Sequence, residues 1–412
     1  MDLEPLLAPR SVAVVGATDR PGSYADQTLR NLAALGFPGA VWGVHPTRRE
    51  VHGRTCVPAL RDLPGPVDAV VVAIPAAAVP AVIDEAGATG CGGAVVYAAG
   101  FGETPEGTDL DRALRAAAAR HGLPVCGPNC DGLVAFPQRA ALWGDALAVL
   151  EPGPVALVSQ SGNLAVNALA ARRGLRFHTV LSSGNEAVVS AADWLEALTG
   201  RDGVRSVALF LESEGDGRRL CEALARCADA RIGVAVLKVG ASATGASAAA
   251  AHTGALAGDH VAFRALVEEA GAAWAEDVHD LLELAKALAV RGSRPHRDGG
   301  LAILTCSGGD SGLGADEAAR RGLDLPPLAP ATRERLRALL PAAATVANPL
   351  DYTSLVWADV DTLKDTIAAL AGDLLLERDL ELLELNPVIV HERGAVVVDA
   401  LARAGQEGAP SP

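Results

Sequence analysis

The chain repeats one local pattern along most of its length: a short β-branched run, a glycine-rich turn, then an Ala/Leu-rich stretch of helical character. "SVAVVGA", "AVWGVHP", "DAVVVAIP", "GAVVYAAGF" and "LPVCGPN" form a first series. After "LEPG" a second series follows, with "PVALVSQSGN", "FHTVLSSGNE", "VRSVALFLES" and "IGVAVLKVG". Strands that alternate with helices build parallel, doubly wound sheets, because each parallel connection needs a crossover helix. Half of the 412 residues are hydrophobic but only 3% are aromatic, so the core must be close-packed Ala, Val and Leu. The expected fold class is therefore α/β, in several domains.

The boundaries follow from where the pattern restarts. Residues 1–140 form the first domain and residues 150–292 the second. The Gly-, Pro- and Arg-rich "VRGSRPHRDGG" reads as a linker. Behind it "LAILTCSGGDSGLGADEAARRG" begins a third α/β unit, residues 298–355, which stops early. The last part, 356–412, holds an expected helix in "DVDTLKDTIAALAGDLLL" and the hairpin-like "LELLELNPVIVHERGAVVVDA".

Charge and composition exclude several classes. A formal net charge of −15 opposes a polyphosphate backbone, and "TRRE" and "SRPHR" are too short to make a basic track, so no nucleic acid partner is expected. The seven cysteines show no CxxC pair, which argues against a zinc site or a disulfide framework and for a reducing compartment. No charged-then-apolar leader opens the sequence, and "VDAVVVAIPAAAVPAVI" is broken by proline and aspartate, so the expectation is a cytoplasmic protein with no membrane partner.

Several stretches could carry chemistry. "VVGATDRPGSYADQTLRNL" sets Gly16 and Gly22 between a strand and a helix, where backbone amides could cradle phosphates; GxGxxG spacing is absent, and an ordinary tight turn is the competing account. "VSQSGN" and "LTCSGGDSG" are one device used twice, a strand that ends in hydroxyl and glycine residues and opens a helix. Two such starts facing each other would hold one phosphoryl group on amides and helix dipoles, although Ser/Gly caps are also common structural features. His252 in "AHTGALAGD" has small neighbours. A lone histidine is most often a surface or satisfied core residue. An imidazole can also attack phosphorus when a carboxylate fixes its other nitrogen, and Glu212, Glu214 and Glu186 are candidates for that role. In "ELNPVIVHERGAVVVDA", Asn386 and Asp399 end neighbouring strands and suit Mg²⁺, or simply flank a hairpin.

In this order the motifs resemble the NDP-forming (ADP-forming) acyl-CoA synthetases, the acetate-CoA ligase family of the succinyl-CoA synthetase superfamily. "SVAVVGAT", "IP", "AAGF" and "GPNC" resemble its Rossmann-like CoA-binding domain; "VSQSGN", "SSGNE", "LFLES" and "AHTGALAGD" its first flavodoxin-like ligase domain. "TCSGGDSG" with "NPLDYT" is similar to the start of the second such domain, and "ELNPVIV" with "VVDA" to a short ATP-grasp-like remnant. The resemblance implies that His252 is the phosphorylated histidine and Glu212 the glutamate that holds its ring. It implies phosphate sites at Ser159, Ser161 and Gly162 and at Ser307, Gly308 and Gly309. It places Gly16, Thr18, Pro21, Ile74, Pro75, Asn129 and Cys130 against coenzyme A and Asn386 and Asp399 against Mg²⁺. The implied activity interconverts acyl-CoA plus phosphate with acid plus CoA, through acyl phosphate and phosphohistidine. Most of ATP-grasp is absent between "NPLDYT" and "DTLKDTIAAL", so ADP or ATP is expected to need a homo-oligomer or a partner ATP-grasp chain. A non-catalytic CoA- or acyl-CoA-binding regulatory module is the alternative.

Overall fold

The computed structural model describes all residues except 148–150, 172, 243, 246–259, 292–301, 354–364, 367–379, 386–387, 392–393, 398–399 and 405–412. The chain divides into two compact units, Met1–Arg294 and Pro295–Pro412.

The first unit contains two seven-stranded sheets. The first runs in the order Glu50–Val51, Arg54–Val57, Ala40–Val44, Ser11–Val15, Ala69–Val72, Gly93–Val96, Val125–Cys126. All its pairings are parallel except that of the first two strands, and the order reverses at Ser11–Val15, flanked by Ala40–Val44 and Ala69–Val72. The inner strands are as the composition requires: Val12, Ala13, Val14 and the whole of Ala69–Val72 are fully buried. Such a reversal opens a crevice beyond the carboxyl ends of the strands.

The second sheet runs Ala273–Trp274, Gly233–Lys238, Ser206–Leu211, Val155–Ser159, Phe177–Ser182, Gly132–Ala135, Ala140–Trp143. It reverses at Val155–Ser159, between Phe177–Ser182 and Ser206–Leu211. Gly132–Ala135 is antiparallel to Phe177–Ser182, and Ala140–Trp143 is antiparallel to Gly132–Ala135, with Thr179 opposite Ala135 and Gly132 opposite Trp143. The first domain read from sequence ran to residue 140, yet these strands close the second sheet. A strand's composition marks it as buried but does not choose its partner, and here the partner is non-local. One apolar core continues through both layers, joining Val14, Leu29 and Leu32 to Cys130 and Leu133 and on to Val158, Leu181 and Leu209.

The second unit has a four-stranded sheet in the order Leu350–Asp351, Ala302–Thr305, Val388–His391, Gly394–Val397, and a separate pair Leu380–Leu385 with Ala400–Ala404. Ala302–Thr305 is parallel to Leu350–Asp351 and antiparallel to Val388–His391. The sequence divided this region at 355/356. One sheet instead takes strands from both sides, which gives Ala302–Thr305 a partner on each edge. The expected hairpin at "HERG" is present, His391 facing Gly394. Of the helix expected over 359–376, only Asp365 and Thr366 are described, and both are helical.

The passage from first to second sheet depends on Gly132, at φ +89°, where a Cβ would stand 2.0 Å from the Leu142 carbonyl oxygen. Gly122, which ends the helix Thr108–His121 at φ +63°, has open space around it. Gly122→Ala is expected to cost about 1 kcal/mol, the left-handed penalty alone, and Gly132→Ala about 3 kcal/mol or more, strain plus clash. Urea unfolding midpoints of the two variants check the difference.

Candidate functional site

Two cavities lie where the sheets of the first unit reverse. The first, about 700 Å³, is lined by the Gly16–Ala25 turn and by Ala73, Ile74, Pro75, Tyr97, Ala98, Ala99 and Asn129. Gly16 is required there: at φ +84° its position leaves 2.4 Å between a Cβ and the Ala73 carbonyl oxygen, so only glycine lets the turn pass. Ser23 caps the helix Tyr24–Ala34, its hydroxyl accepting from the Asp26 amide at 3.3 Å. Thr18 Oγ1 accepts from the Arg20 amide at 3.2 Å. Free amides and the positive end of a helix therefore border a crevice that also holds Arg20, which suits phosphate oxygens. Of the residues expected at coenzyme A, Gly16, Thr18, Ile74, Pro75 and Asn129 line this crevice. Pro21 is exposed in the same turn. Cys130 is buried, its thiol directed at the Val96 carbonyl at 3.3 Å, and it lines the neighbouring cavity instead.

That second cavity, about 520 Å³, shares Tyr24, Tyr97 and Asn129 with the first. The tyrosine rings stand edge to face with centroids 5.3 Å apart. Its far wall is built from helix starts. Ser161 caps Gly162–Ala170, Ser190 caps Ala191–Thr199 in a reciprocal box with Asp193, and Asp216 caps Gly217–Asp229. All three caps line the cavity, together with Gly162, Gln160, Glu186 and Glu212.

The two Ser/Gly devices are constructed alike. Ser159 Oγ donates to the Ser161 carbonyl at 2.7 Å, and Thr305 Oγ1 donates to the Ser307 carbonyl at 3.0 Å. In each the capping serine accepts from the amide three residues on, Leu164 or Asp310. Ser159 is fully buried, its hydroxyl turned back into its own loop, so Ser161 and Gly162 present the cavity face. Ser307, Gly308 and Gly309 open the helix Gly308–Arg320 within the second unit.

Among the candidate carboxylates, Glu214 faces the buried ammonium of Lys238 at 3.4 Å and is committed to that pair. Glu212 and Glu186 line the cavity. Gln160 joins them to the fold: its Oε1 accepts from the Glu212 and Ser213 amides at 2.7 and 2.9 Å, and its Nε2 donates to the Ser213 carbonyl. Glu186 sits at φ +51°, rare for a residue with a side chain. Its Oε1 accepts from Ser183 Oγ at 2.7 Å. Burial pushes its carboxyl up to about 7 against the hydrogen bonds from Ser183, Ala191 and Gln160 that favour the ion. His252, Asn386 and Asp399 lie outside the described residues.

Gln160, Tyr24, Tyr97 and Asp131 were not singled out as site residues. Asp131 Oδ2 would stand 2.1 Å from a Cβ at Gly162, which keeps that helix start a glycine. Burial, and then the neighbouring Asp145, raise its pKa. The cavity wall thus carries Asp131, Glu186, Glu212 and Asp216 and, among the described residues, no Lys, Arg or His. What this described wall offers an anion is the N–H groups of the helix starts. Among the described residues no group of three potential ligands could hold a metal, all seven cysteines are free thiols, and no helix is long and apolar enough to cross a membrane.

A raised carboxyl pKa means that the native state holds the proton more tightly than the unfolded chain, so stability falls as pH rises from about 4.5 to about 7 at Glu186. Glu186→Gln removes that loss. It should leave stability near pH 4 almost unchanged and raise it by about 1–3 kcal/mol at pH 8. Denaturant midpoints at the two pH values test this.

Comparison with known proteins agrees with the two-sheet architecture. Residues 10–135 match the CoA binding domain and residues 152–288 the succinyl-CoA ligase like flavodoxin domain. The chain is 36% identical over 352 residues to acetate–CoA ligase [ADP-forming] I of Archaeoglobus fulgidus, covering 85% of this chain and 50% of that one. It is 34% identical to the alpha subunit of acetate–CoA ligase [ADP-forming] II of Pyrococcus furiosus, covering 83% of this chain and 74% of the subunit. It thus spans about half the length of the Archaeoglobus relative and about three quarters of the Pyrococcus subunit. A solved structure of a Ca. Korarchaeum cryptofilum dinucleotide forming acetyl-coenzyme A synthetase 1, in complex with phosphate and ADP, superposes with a TM-score of 0.78 at 31% identity, over 90% of this chain and 79% of that one. The chain belongs to the ADP-forming acyl-CoA synthetase family, of which it carries the CoA-binding and ligase domains.

Proposed function

We propose that the chain is the acyl-CoA- and phosphate-handling part of an ADP-forming acid–CoA ligase. The observation that carries this reading is the wall of Tyr24, Tyr97 and Asn129 common to both cavities. A ligand whose phosphates rest in the first crevice can pass its thioester end across that wall to the helix start at Gly162. Coenzyme A has that shape. Phosphate at the Ser161–Gly162 start attacks the thioester carbonyl, the C–S bond breaks, and acyl phosphate and CoA result. The amides of the helix start bear the charge that builds on the moving oxygens. His252 then takes the phosphoryl group and releases the acid, with Glu212 accepting from the other ring nitrogen to fix the imidazole.

The last transfer, from phosphohistidine to ADP, needs a nucleotide site. In Pyrococcus furiosus the relative is named as an alpha subunit, which supports a partner ATP-grasp chain here, or a homo-oligomer that completes the site. Mg²⁺ bound with the nucleotide would neutralise phosphate charge; Asn386 and Asp399 are this chain's candidates for it.

Incubating the full chain with acetyl-CoA and radiolabelled phosphate should place an acid-labile phosphoryl group on His252 and release CoA. His252→Ala abolishes the label, and Glu212→Gln slows labelling about tenfold or more, the scale of one charge-assisted hydrogen bond. A wild-type chain that binds CoA yet takes no label from acetyl-, butyryl- or phenylacetyl-CoA overturns the relay.

A further inference from the structure

The turn Ser183–Ala187 is a rigid piece that both halves of the first unit hold. Gly184, at φ +56°, packs so closely on Pro128 and Asn129 that a Cβ would meet both carbonyl oxygens at 2.3 Å. The Asn185 amide donates to the Pro128 carbonyl at 2.9 Å, and the Ala187 amide to the Gly127 carbonyl at 3.0 Å. Asn129 Nδ2 donates to Asn185 Oδ1 at 3.2 Å, and Asn185 Nδ2 in turn donates to Glu103. Ser183 is tied by its amide and hydroxyl to the Ser159 carbonyl, at 2.7 and 3.3 Å. One end of the turn therefore rests on the loop that lines the coenzyme A crevice, the other on the strand that leads to Gly162.

Glu186 is held between them, in a left-handed backbone that an ordinary loop glutamate would leave. Such conformations persist where the surroundings over-determine them, and they cluster at functional sites. Its carboxyl opens on the 520 Å³ cavity and accepts hydrogen bonds from neutral groups alone, the Ser183 hydroxyl, the Ala191 backbone amide and the Gln160 side-chain amide. Among the described residues it makes no ion pair. The charged or titratable groups around it are Asp193 on the following helix, Glu212 across Gln160, Glu103 beyond Asn185, the Cys126 thiol below and Arg115, whose guanidinium is taken by the Ala187 carbonyl. Among the described residues no cation balances this carboxyl, although it opens on the cavity.

We infer that Glu186 is the general acid–base that exchanges the proton of the coenzyme A thiol. This rests on the thioester reading above. In the direction of thioester cleavage phosphate adds to the carbonyl, the C–S bond breaks with its electron pair on sulfur, and protonated Glu186 gives its proton to that sulfur, leaving CoA–SH and a carboxylate. In the reverse direction the carboxylate takes the thiol proton, and the thiolate attacks acyl phosphate and expels phosphate. No co-reactant is consumed. The position of its pKa, about 7, suits both directions near neutrality.

Arsenolysis isolates this step from the nucleotide half, because an acyl arsenate hydrolyses and makes CoA release irreversible. The full chain is assayed with acetyl-, butyryl- and phenylacetyl-CoA and arsenate, by thiol release between pH 5.5 and 9, beside Glu186→Gln and Glu186→Asp. Arsenate titrates near neutrality, so the ratio of wild-type to Glu186→Gln rates at each pH is read, which cancels it. The ratio should be about 10²–10⁴ at low pH and fall as pH rises through about 7. Glu186→Asp should restore part of the rate and keep the pH dependence, and CoA affinity should be unchanged in both variants. A ratio near one, or a ratio that does not vary with pH, overturns the assignment. Wild type that binds CoA but releases no thiol overturns the thioester reading itself, and this inference with it.

Discussion

The site depends on a short backbone ladder between two sheets. Amides of Asn185, Ala187 and Val189 donate to the carbonyls of Pro128, Gly127 and Val125. These bonds set the carboxyl end of one sheet against that of the other. Without them the two crevices would be separate clefts on separate domains. With them, Tyr24, Tyr97 and Asn129 become a partition common to both. Buried backbone pairing of this kind resists sliding, since moving one residue along the ladder would leave donors and acceptors unmatched. The glycines at 132 and 184 belong to the same constraint: each removes a side chain where two main chains cross.

The chemistry of the second cavity follows from what surrounds it. Three helix starts point into it and four carboxyl-bearing residues line it. A helix start offers fixed partial charge and oriented N–H groups, which stabilise an oxyanion at defined places. Carboxyl groups do the reverse, unless they are protonated or turned to accept from a donor. Glu212 and Glu186 meet at Gln160, whose amide bonds at one end to the main chain at Glu212 and Ser213 and at the other supports the Glu186 carboxyl. A single neutral side chain thus links the main chain at Glu212 to the Glu186 carboxyl.

Much of this was legible in the sequence because much of it is local. A strand end with a hydroxyl, followed by Ser-Gly and a helix, implies a capped helix start wherever it occurs, and Ser161 and Ser307 both form one. Gly16 was readable for the same reason: a turn between strand and helix is a few residues long. What stayed hidden is non-local. The strands Gly132–Ala135 and Ala140–Trp143 look like a continuation of the first series, and only pairing with Phe177–Ser182 assigns them. Nothing near Tyr24 foretells that it will meet Tyr97, seventy-three positions away, nor does "SSGNE" reveal which carboxyl will be pressed against a loop of the other domain. Composition selects the type of layer; the facing of one layer on another is decided by contacts that no short window contains.

The absence of lysine, arginine and histidine from the described wall of the second cavity bears on how long anything stays there. A guanidinium or ammonium would grip an oxyanion in every state and make a storage site. Helix starts supply direction without a full countercharge, and the carboxyls press outward. On the described wall an anion meets directed N–H groups and no full countercharge. Under the relay proposed above, these walls suit passing a phosphoryl group on to His252 rather than storing phosphate.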